Sequence, residues 1–264
     1  MRIEDFYFLY SLIILFIINS CANIVPPSGG PKDIDPPKLI SSQNKIIDEN
    51  KIDITLGFNE RIEESYFKQN FYISPPINNF NYQIRGRFLD VKIKDPISNN
   101  LKYIICLDNC IKDATEGNIL SSLSYEISNK DSSIKFYNLD VVVKNAYTGN
   151  PGENQWILIY SNEVHDSLIF KISPQYISRC NDKGIASFNN LVNDSYKIFS
   201  VSGKNYEYNV GDLISFSNIE VSPIEDSCVN LFSYDPNYYI DSISPLLDSL
   251  IKGDGSLSVS TDIT

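Results

Sequence analysis

The first half of the chain alternates apolar and polar side chains with a period of two. Residues 52–58 place Ile, Ile, Leu and Phe at every second position, and residues 89–93 place Leu, Val and Ile in the same way. This alternation predicts strands of an antiparallel sheet with one buried face. The more continuously apolar run 101–107 predicts a central strand, and residues 71–73 and 82–84 predict shorter ones. Short strands separated by turn residues over about 95 positions indicate a β-sandwich.

A second β-rich stretch follows a polar linker at residues 129–135. Residues 139–143 alternate again, and the apolar runs 156–160 (WILIY) and 168–172 (LIFKI) predict two more strands. Asp182-Lys183-Gly184 is a hairpin-turn signal ahead of further alternation. These patterns predict a second β-sandwich.

The amino-terminal region carries thirteen almost entirely apolar residues at positions 6–18. This run is shorter than the roughly 20 residues that a membrane-spanning helix needs, and it has the length of the apolar part of a secretory signal. The sequence Ile18-Asn19-Ser20-Cys21 follows and resembles the lipobox of bacterial lipoproteins. By that resemblance, residues 1–20 are a signal peptide and Cys21 is acylated on its thiol and its new amino group. The alternative is an ordinary apolar helix or strand followed by a chance cysteine.

Residues 37–128 resemble an SbsA-type bacterial Ig-like domain. The resemblance rests on the run Leu56-Gly57-Phe58-Asn59-Glu60, a late strand at Tyr103-Ile104-Ile105, and Ile111-Lys112-Asp113 followed by Glu116-Gly117-Asn118. The leader around Cys21, with Pro27-Ser28-Gly29-Gly30-Pro31, is similar to that of Bacteroidota lipoproteins that carry this domain. The resemblance implies an Ig-like β-sandwich on a lipid-anchored envelope protein.

Residues 136–222 resemble the carboxypeptidase-regulatory-like, or transthyretin-like, β-sandwich. The matching positions are Asn145-Ala146-Tyr147-Thr148-Gly149-Asn150-Pro151, the turn at Asp182-Lys183-Gly184 and the strand at Tyr196-Lys197-Ile198. The expected fold class is therefore all-β, with two tandem Ig-like and transthyretin-like sandwiches. The expected segments are a signal peptide (1–20), a Pro/Gly-rich tether (21–36), the two sandwiches (37–128 and 136–222) and an irregular C-terminal tail (223–264).

Charge and composition narrow the range of functions. The 264 residues carry a net charge of −11 and a single histidine, His165. Nucleic acid is disfavoured as a partner, because phosphate binding needs clustered Lys and Arg. His165 lies between two predicted strands, where an exposed polar turn is a simpler explanation than an acid–base or metal site. Tyr206, Tyr208, Tyr238 and Tyr239 could stack on sugars or bind a partner, although core and strand roles are the simpler explanation.

Apart from Cys21, the cysteines are 106, 110, 180 and 228. The spacing Cys106-x-x-x-Cys110 allows a disulfide that closes a small loop in an oxidising compartment, and the sequence leaves the pairing of all four open. No metal site is expected, because complementary ligands to this pair are lacking. The best acidic cluster for calcium surrounds Asp113 and Glu116, but turn chemistry explains the same residues.

The sequence thus predicts a non-catalytic cell-envelope lipoprotein that acts as a structural or interaction module. Its lipid on Cys21 would anchor it in the outer membrane, facing either the periplasm or the surface. The expected partners are the membrane and an envelope protein or glycan, with no cofactor. The alternative is a carbohydrate- or peptide-binding module of an uptake or adhesion system.

Overall fold

The computed structural model describes residues 30–48, 51–127 and 134–237. The chain divides into two compact units, Met1–Ile34 and Asp35–Thr264, and every element named below belongs to the second. The predicted signal peptide, Cys21 and most of the predicted linker lie outside the described ranges. Within those ranges, no helix is both long and apolar enough to cross a membrane.

The chain is built almost entirely of β-strands, as the period-two alternation predicted. The helical elements among the described residues are α1 (Phe67–Asn70) and a 3-10 helix at Asp166–Leu168. The strands are β1 (Leu39–Asp48), β2 (Lys51–Phe58), β3 (Ile62–Glu64), β4 (Phe71–Ser74), β5 (Phe80–Arg85), β6 (Phe88–Ile93), β7 (Tyr103–Leu107), β8 (Ile111–Asp113), β9 (Leu123–Ile127), β10 (Tyr137–Asn145), β11 (Trp156–Ser161), β12 (Tyr176–Arg179), β13 (Ile185–Leu191), β14 (Tyr196–Val201), β15 (Ile214–Phe216) and β16 (Cys228–Ser233).

The first sandwich packs the sheet β1-β2-β6-β5 against the sheet β4-β7-β9, with the short pair β3-β8 beside them. Its strands pair antiparallel. The residues predicted to face inward do so, because Leu56, Phe58 and Leu89 are fully buried. All five residues of β7 are buried, in agreement with a central strand between β4 and β9. The alternation therefore predicted the buried face as well as the strands.

The second sandwich packs the sheet β13-β10-β16 against the sheet β12-β11-β14-β15. Leu139 and Val141 of β10 meet Ile157 and Ile159 of β11 in its core, all of them fully buried. The turn predicted before β13 is present, but it joins β12 and β13 of different sheets and so does not close a hairpin. Gly184 has a φ of +73°, and a Cβ at this position would lie 2.4 Å from the Val143 carbonyl oxygen, so the turn requires glycine.

The structure corrects two expectations in the second half. The predicted irregular tail at 223–264 contains β16, which pairs in parallel with β10 and buries Leu231 in the core. The predicted strand at 168–172 is instead part of the 3-10 helix and the turn after it, in which Ile169 and Phe170 pack over the outer face of a sheet. The apolar character of that run therefore serves to cover a sheet rather than to extend one.

The two sandwiches meet at a junction between β4 and β7 of the first and β11 and β12 of the second. Tyr72 and Trp156 pack there edge to face, with ring centroids 5.0 Å apart, and Ile104 packs in the same buried cluster. Large aromatic side chains in such contacts stabilise an interface by both burial and ring geometry.

Polar contacts fix the orientation of the junction. Arg179 donates from Nη1 to Asn70 Oδ1 at 2.5 Å and lies over the Trp156 ring. The buried Asn190 donates from Nδ2 to two main-chain carbonyls of the first sandwich, Ser74 O and Lys102 O, at 3.1 Å each. Because hydrogen bonds depend on direction as well as distance, these contacts hold the sandwiches in one relative orientation.

Candidate functional site

The outer face of the sheet β12-β11-β14-β15 is unusually rich in aromatic residues. Since successive side chains of a strand point to opposite faces, Ile157 and Ile159 enter the core while Trp156, Leu158 and Tyr160 lie on the outer face. These three outer residues are nevertheless buried. They are covered by the junction and by the loops before β12 and before β15.

Towards β15 this cover ends and leaves an aromatic groove, defined here by Phe170, Phe199, Phe216, Ile169 and Ile219. Phe199 lies between the other two phenylalanines, with ring centroids 5.6 Å from Phe170 and 6.3 Å from Phe216. Phe216 is 44% exposed and Ile219 is 70% exposed. The groove thus presents an apolar floor to solvent.

Charged and amide side chains form the rim of the aromatic groove. Lys197 donates to Asp166 Oδ1 at 2.7 Å and to the Val164 carbonyl at 2.9 Å. The hydrogen bond and charge of Lys197 lower the pKa of Asp166, so this carboxylate is held ionised. The groove has a volume of about 770 Å³ and also includes Asn162 and Glu220. An apolar floor with a few placed polar groups, at this size, is the usual build of a ligand site.

Phe170 has a strained backbone conformation that positions its ring in the aromatic groove. Its φ is +63°, in the left-handed region that bulky residues rarely adopt. This conformation lays the Phe170 ring against Phe199 and Tyr208, with centroid distances of 5.6 Å in both cases. Strained backbone persists where surrounding packing enforces it, and such positions cluster at binding sites.

The tyrosines singled out in the sequence lie beside the groove rather than in its floor. Tyr206 and Tyr208 are half-buried and pack on the covered aromatic face. Burial raises the pKa of Tyr206. Tyr238 and Tyr239 lie outside the described residues.

The three phenylalanines of the groove were missed by the sequence analysis. Phe199 alternates with the inward residues Tyr196 and Ile198 of β14, so the sequence could have indicated an aromatic side chain on the outer face of this strand. Phe170 and Phe216 are brought to it by long-range folding that no local pattern shows.

His165 occupies an exposed turn, as predicted. It precedes the 3-10 helix, and its Nδ1 accepts a hydrogen bond from the Ser167 backbone N–H at 3.2 Å and contacts Ser167 Oγ at 2.9 Å. The side chain therefore has a local capping role, which accounts for its position without invoking catalysis.

The disulfide that the spacing of Cys106 and Cys110 allows is not formed in the structure, since both are free thiols. Cys106 belongs to the cluster at the junction, whereas Cys110 is buried in the core of the first sandwich. Burial raises the pKa of each of these thiols, and of Cys180, to about 12. Buried protonated thiols of this kind are poor nucleophiles. Cys228 is also free, but it is exposed.

The acidic cluster around Asp113 is a turn built on one carboxylate. Asp113 accepts hydrogen bonds from the backbone N–H groups of four successive residues, 115–118, at 2.6–3.2 Å. Burial acts to raise its pKa, but these four donors outweigh burial and lower the pKa to about 2. Glu60 and Glu116 have carboxylate oxygens within 4.8 Å of it. Local backbone contacts therefore account for Asp113 without a metal ion.

Comparisons with known proteins name no family for the chain. No family model matches it, and no curated protein matches it. Among solved structures, it is similar to the crystal structure of the major pilin subunit of Bacillus cereus, with 10% sequence identity and a TM-score of 0.23. That likeness covers 74% of this chain and 64% of the pilin, so the chain spans less than two thirds of that protein. The functional assignment must therefore come from the residues themselves.

Proposed function

We propose that this protein is a non-catalytic interaction module of the cell envelope, anchored by lipid on Cys21, and that the aromatic groove is its binding surface. The observation that carries this proposal is the exposure of Phe216 and Ile219 over a floor of packed phenylalanine rings. Exposed apolar surface with a polar rim is typical of sites that bind a partner or ligand.

The sequence supports the anchoring part of the proposal. The lipobox-like Ile18-Asn19-Ser20-Cys21 follows an apolar run of signal-peptide length, and five prolines follow it within residues 26–37. Two or more acyl chains give stable attachment, whereas one gives only marginal binding. Proline-rich segments are semi-rigid spacers, so this stretch would hold the first sandwich away from an outer-membrane surface.

We extend the proposal to membership of the SbsA-type and carboxypeptidase-regulatory-like families, because the motifs that resemble theirs form turns in the structure. In the first sandwich, the Asp of the Ile111-Lys112-Asp113 motif organises the turn that contains Gly117 and Asn118. In the second, Asn145 replaces the usual Asp, and its Oδ1 still accepts from the Tyr147 and Thr148 backbone N–H groups. Both motifs thus perform turn roles that explain their residue types.

A second candidate is a carbohydrate- or peptide-binding module of an uptake or adhesion system. The arrangement that favours it is the series Phe170, Phe199 and Phe216, beside the Asp166–Lys197 ion pair. An aromatic face can stack on the apolar side of a sugar ring or hold an apolar peptide side chain, and the rim groups can bond to hydroxyl or amide groups.

Two experiments test these proposals. Cells grown with labelled palmitate should label the wild-type chain and not Cys21→Ser, and equal labelling would refute the anchor.

Glycan and extended-peptide arrays should identify a ligand whose affinity falls about tenfold in Phe216→Ala, which corresponds to about 1.4 kcal/mol. The matched control is Tyr66→Ala, because Tyr66 is an exposed aromatic of the first sandwich. Array binding that Phe216→Ala leaves intact would exclude the groove as the binding surface.

A further inference from the structure

A polar cleft, called here the junction cleft, opens where the two sandwiches meet and shares no lining residue with the aromatic groove. Its volume is about 450 Å³, inside the range of roughly 300–1,000 Å³ that is usual for small-molecule sites. Each sandwich supplies about half of the lining. Most of the lining side chains are hydroxyls and amides, namely Ser121, Ser122, Ser124, Ser178, Ser187, Asn70, Asn109, Asn154 and Asn181.

One charge of each sign lies half-buried in the junction cleft. Asp108 comes from the turn after β7 in the first sandwich, and Arg179 is the last residue of β12 in the second. Within the described ranges neither forms an ion pair, since no oppositely charged side-chain atom lies within 4.0 Å of either one. Half-buried charges are usually paired, because it is costly to remove them from water. A ligand that carries both charges would explain why these two face one cleft without meeting.

The neighbours of Arg179 hold its guanidinium in place without using all of its donors. Nη1 donates to Asn70 Oδ1 at 2.5 Å, and Nε donates to the Asn154 carbonyl at 3.2 Å. The Cζ atom lies 5.5 Å from the centroid of the Trp156 ring. In the described part of the chain, Nη2 makes no hydrogen bond. A guanidinium that is held in this way, with donors left over, is suited to a carboxylate.

The carboxylate of Asp108 is also only partly satisfied. Its Oδ1 accepts a hydrogen bond from the Ser122 hydroxyl at 2.7 Å, whereas its Oδ2 accepts none from any residue that the structure describes. Burial raises the pKa of Asp108, and the Ser122 hydrogen bond and the charge of Arg179 act in the opposite direction. A carboxylate that has lost part of its water gains more from an added cation than an exposed one does. Oδ2 is thus a suitable acceptor for an ammonium group.

The charges of the junction cleft favour one class of ligand over the others that a polar cleft takes. A metal ion would be repelled by Arg179, and an anion would be repelled by Asp108. A neutral sugar would leave both charges uncompensated. The rings beside the cleft, Tyr72 and Trp156, are 7% and 2% exposed, so neither offers a sugar a face for stacking. A molecule with both an ammonium and a carboxylate compensates the two charges at once.

We propose that the junction cleft binds a zwitterionic amino acid or short peptide, whose ammonium group lies on Asp108 and whose carboxylate lies on Arg179. The serine hydroxyls and asparagine amides around these two residues then bond to the polar groups of the ligand. Because the two charges belong to different sandwiches, the ligand spans the junction. The proposal does not depend on binding at the aromatic groove.

Isothermal titration calorimetry on the full chain tests whether both charges of the ligand are needed. The probes are the amino acids L-serine and L-asparagine and the dipeptide L-seryl-L-asparagine, because their side chains match the hydroxyls and amides of the cleft. At least one should bind, and the comparison between them distinguishes an amino-acid site from a peptide site. Its N-acetylated form lacks the ammonium and its C-amidated form lacks the carboxylate, so each should bind at least about tenfold more weakly.

Matched variants locate the binding site. Asp108→Asn keeps the size of the side chain and should weaken binding of the zwitterion about tenfold. Asp182→Asn is the control, because Asp182 is an exposed carboxylate that lines the same cleft, and its effect should stay within about twofold. Phe216→Ala should bind the zwitterion as tightly as the wild type, which separates the junction cleft from the aromatic groove. If Asp108→Asn does not fold, the blocked ligands still test both charges on the wild-type chain.

Three results would overturn the proposal. If none of the three zwitterions binds at millimolar concentration, the cleft holds water only. A blocked ligand that binds as tightly as its zwitterion would show that the site does not recognise both charges. Sucrose that binds as tightly as the zwitterions, in the wild type and in Asp108→Asn, would identify a site for neutral sugars. Binding that is lost on blocking either end of the ligand and in Asp108→Asn, but kept in Asp182→Asn, would support the proposal.

Discussion

The membership of β16 in the second core can be tested with Leu231→Ala. Leu231 is 1% exposed and lies in the cluster that contains Leu139 and Val141. Truncation of a buried leucine removes about three carbons of packed surface and leaves a cavity, with a cost of about 2–5 kcal/mol. We therefore expect a loss near 3 kcal/mol in the free energy of unfolding, inside the usual range for this substitution.

Urea denaturation is the appropriate assay, with Trp156 as the probe. This residue is the single tryptophan of the chain and is 2% exposed in β11, so its fluorescence reports on the second sandwich. With a urea dependence of about 2–3 kcal/mol/M, the expected loss lowers the midpoint by about 1–1.5 M. Asn230→Ala is the control on the same strand, because Asn230 is exposed and its change should stay within about 0.5 kcal/mol.

The comparison between the two variants tests whether β16 contributes to the core of the second sandwich. If Leu231→Ala and Asn230→Ala shift the midpoint equally, β16 does not contribute to the core and the assigned pairing with β10 is wrong. A changed slope in Leu231→Ala alone would instead mean that the two sandwiches no longer unfold together.

Two further predictions concern titratable groups. The pKa of Asp113 is lowered to about 2 in the folded protein, below its unfolded value near 4. Its carboxylate therefore stabilises the fold above pH 4, and this contribution is lost as the pH falls towards 2. The urea midpoints of wild type and Asp113→Asn should differ more at pH 6 than at pH 3. A constant difference across that range would contradict the turn role of Asp113. Iodoacetamide at pH 8 should alkylate the exposed Cys228 and spare the buried Cys106 in the native protein, read by peptide mass mapping. Equal modification of both thiols would contradict the packing described at the junction.

Sequence periodicity predicted the strands whose pairing is antiparallel and mostly between neighbours. β2 and β6 are examples, since each has one buried face and the alternation marks that face directly. β16 was missed because it pairs in parallel with a strand far away in the chain, and its polar neighbours obscure a short apolar pattern. The apolar run at 168–172 was wrongly predicted to be a strand, because its apolar residues cover the outer face of a sheet instead of belonging to one.

The candidate site was less predictable than the fold. Phe170, Phe199 and Phe216 are separated by long stretches of sequence and meet only once the sheet and its covering loop are in place. The cysteine spacing suggested a local bridge between Cys106 and Cys110, but the turn after β7 sends the two side chains into different clusters. Spacing in sequence did not reveal which side of a layer each thiol would occupy.

The hydrogen bonds of Asn190 have a consequence for how the junction tolerates mutation. Both of its acceptors are main-chain carbonyls, at Ser74 and Lys102, and every amino acid supplies a carbonyl. The two Asn190 hydrogen bonds therefore do not depend on which side chains stand at these positions, although the buried Ser74 hydroxyl also accepts a hydrogen bond from the Ile177 N–H at 3.1 Å. The Asn190 contacts therefore depend on the amide of one residue in the second sandwich, whereas the contacts of Arg179 and Ile177 depend on the side chains of Asn70 and Ser74 in the first. Substitutions on the two sides of the junction are thus expected to break different hydrogen bonds.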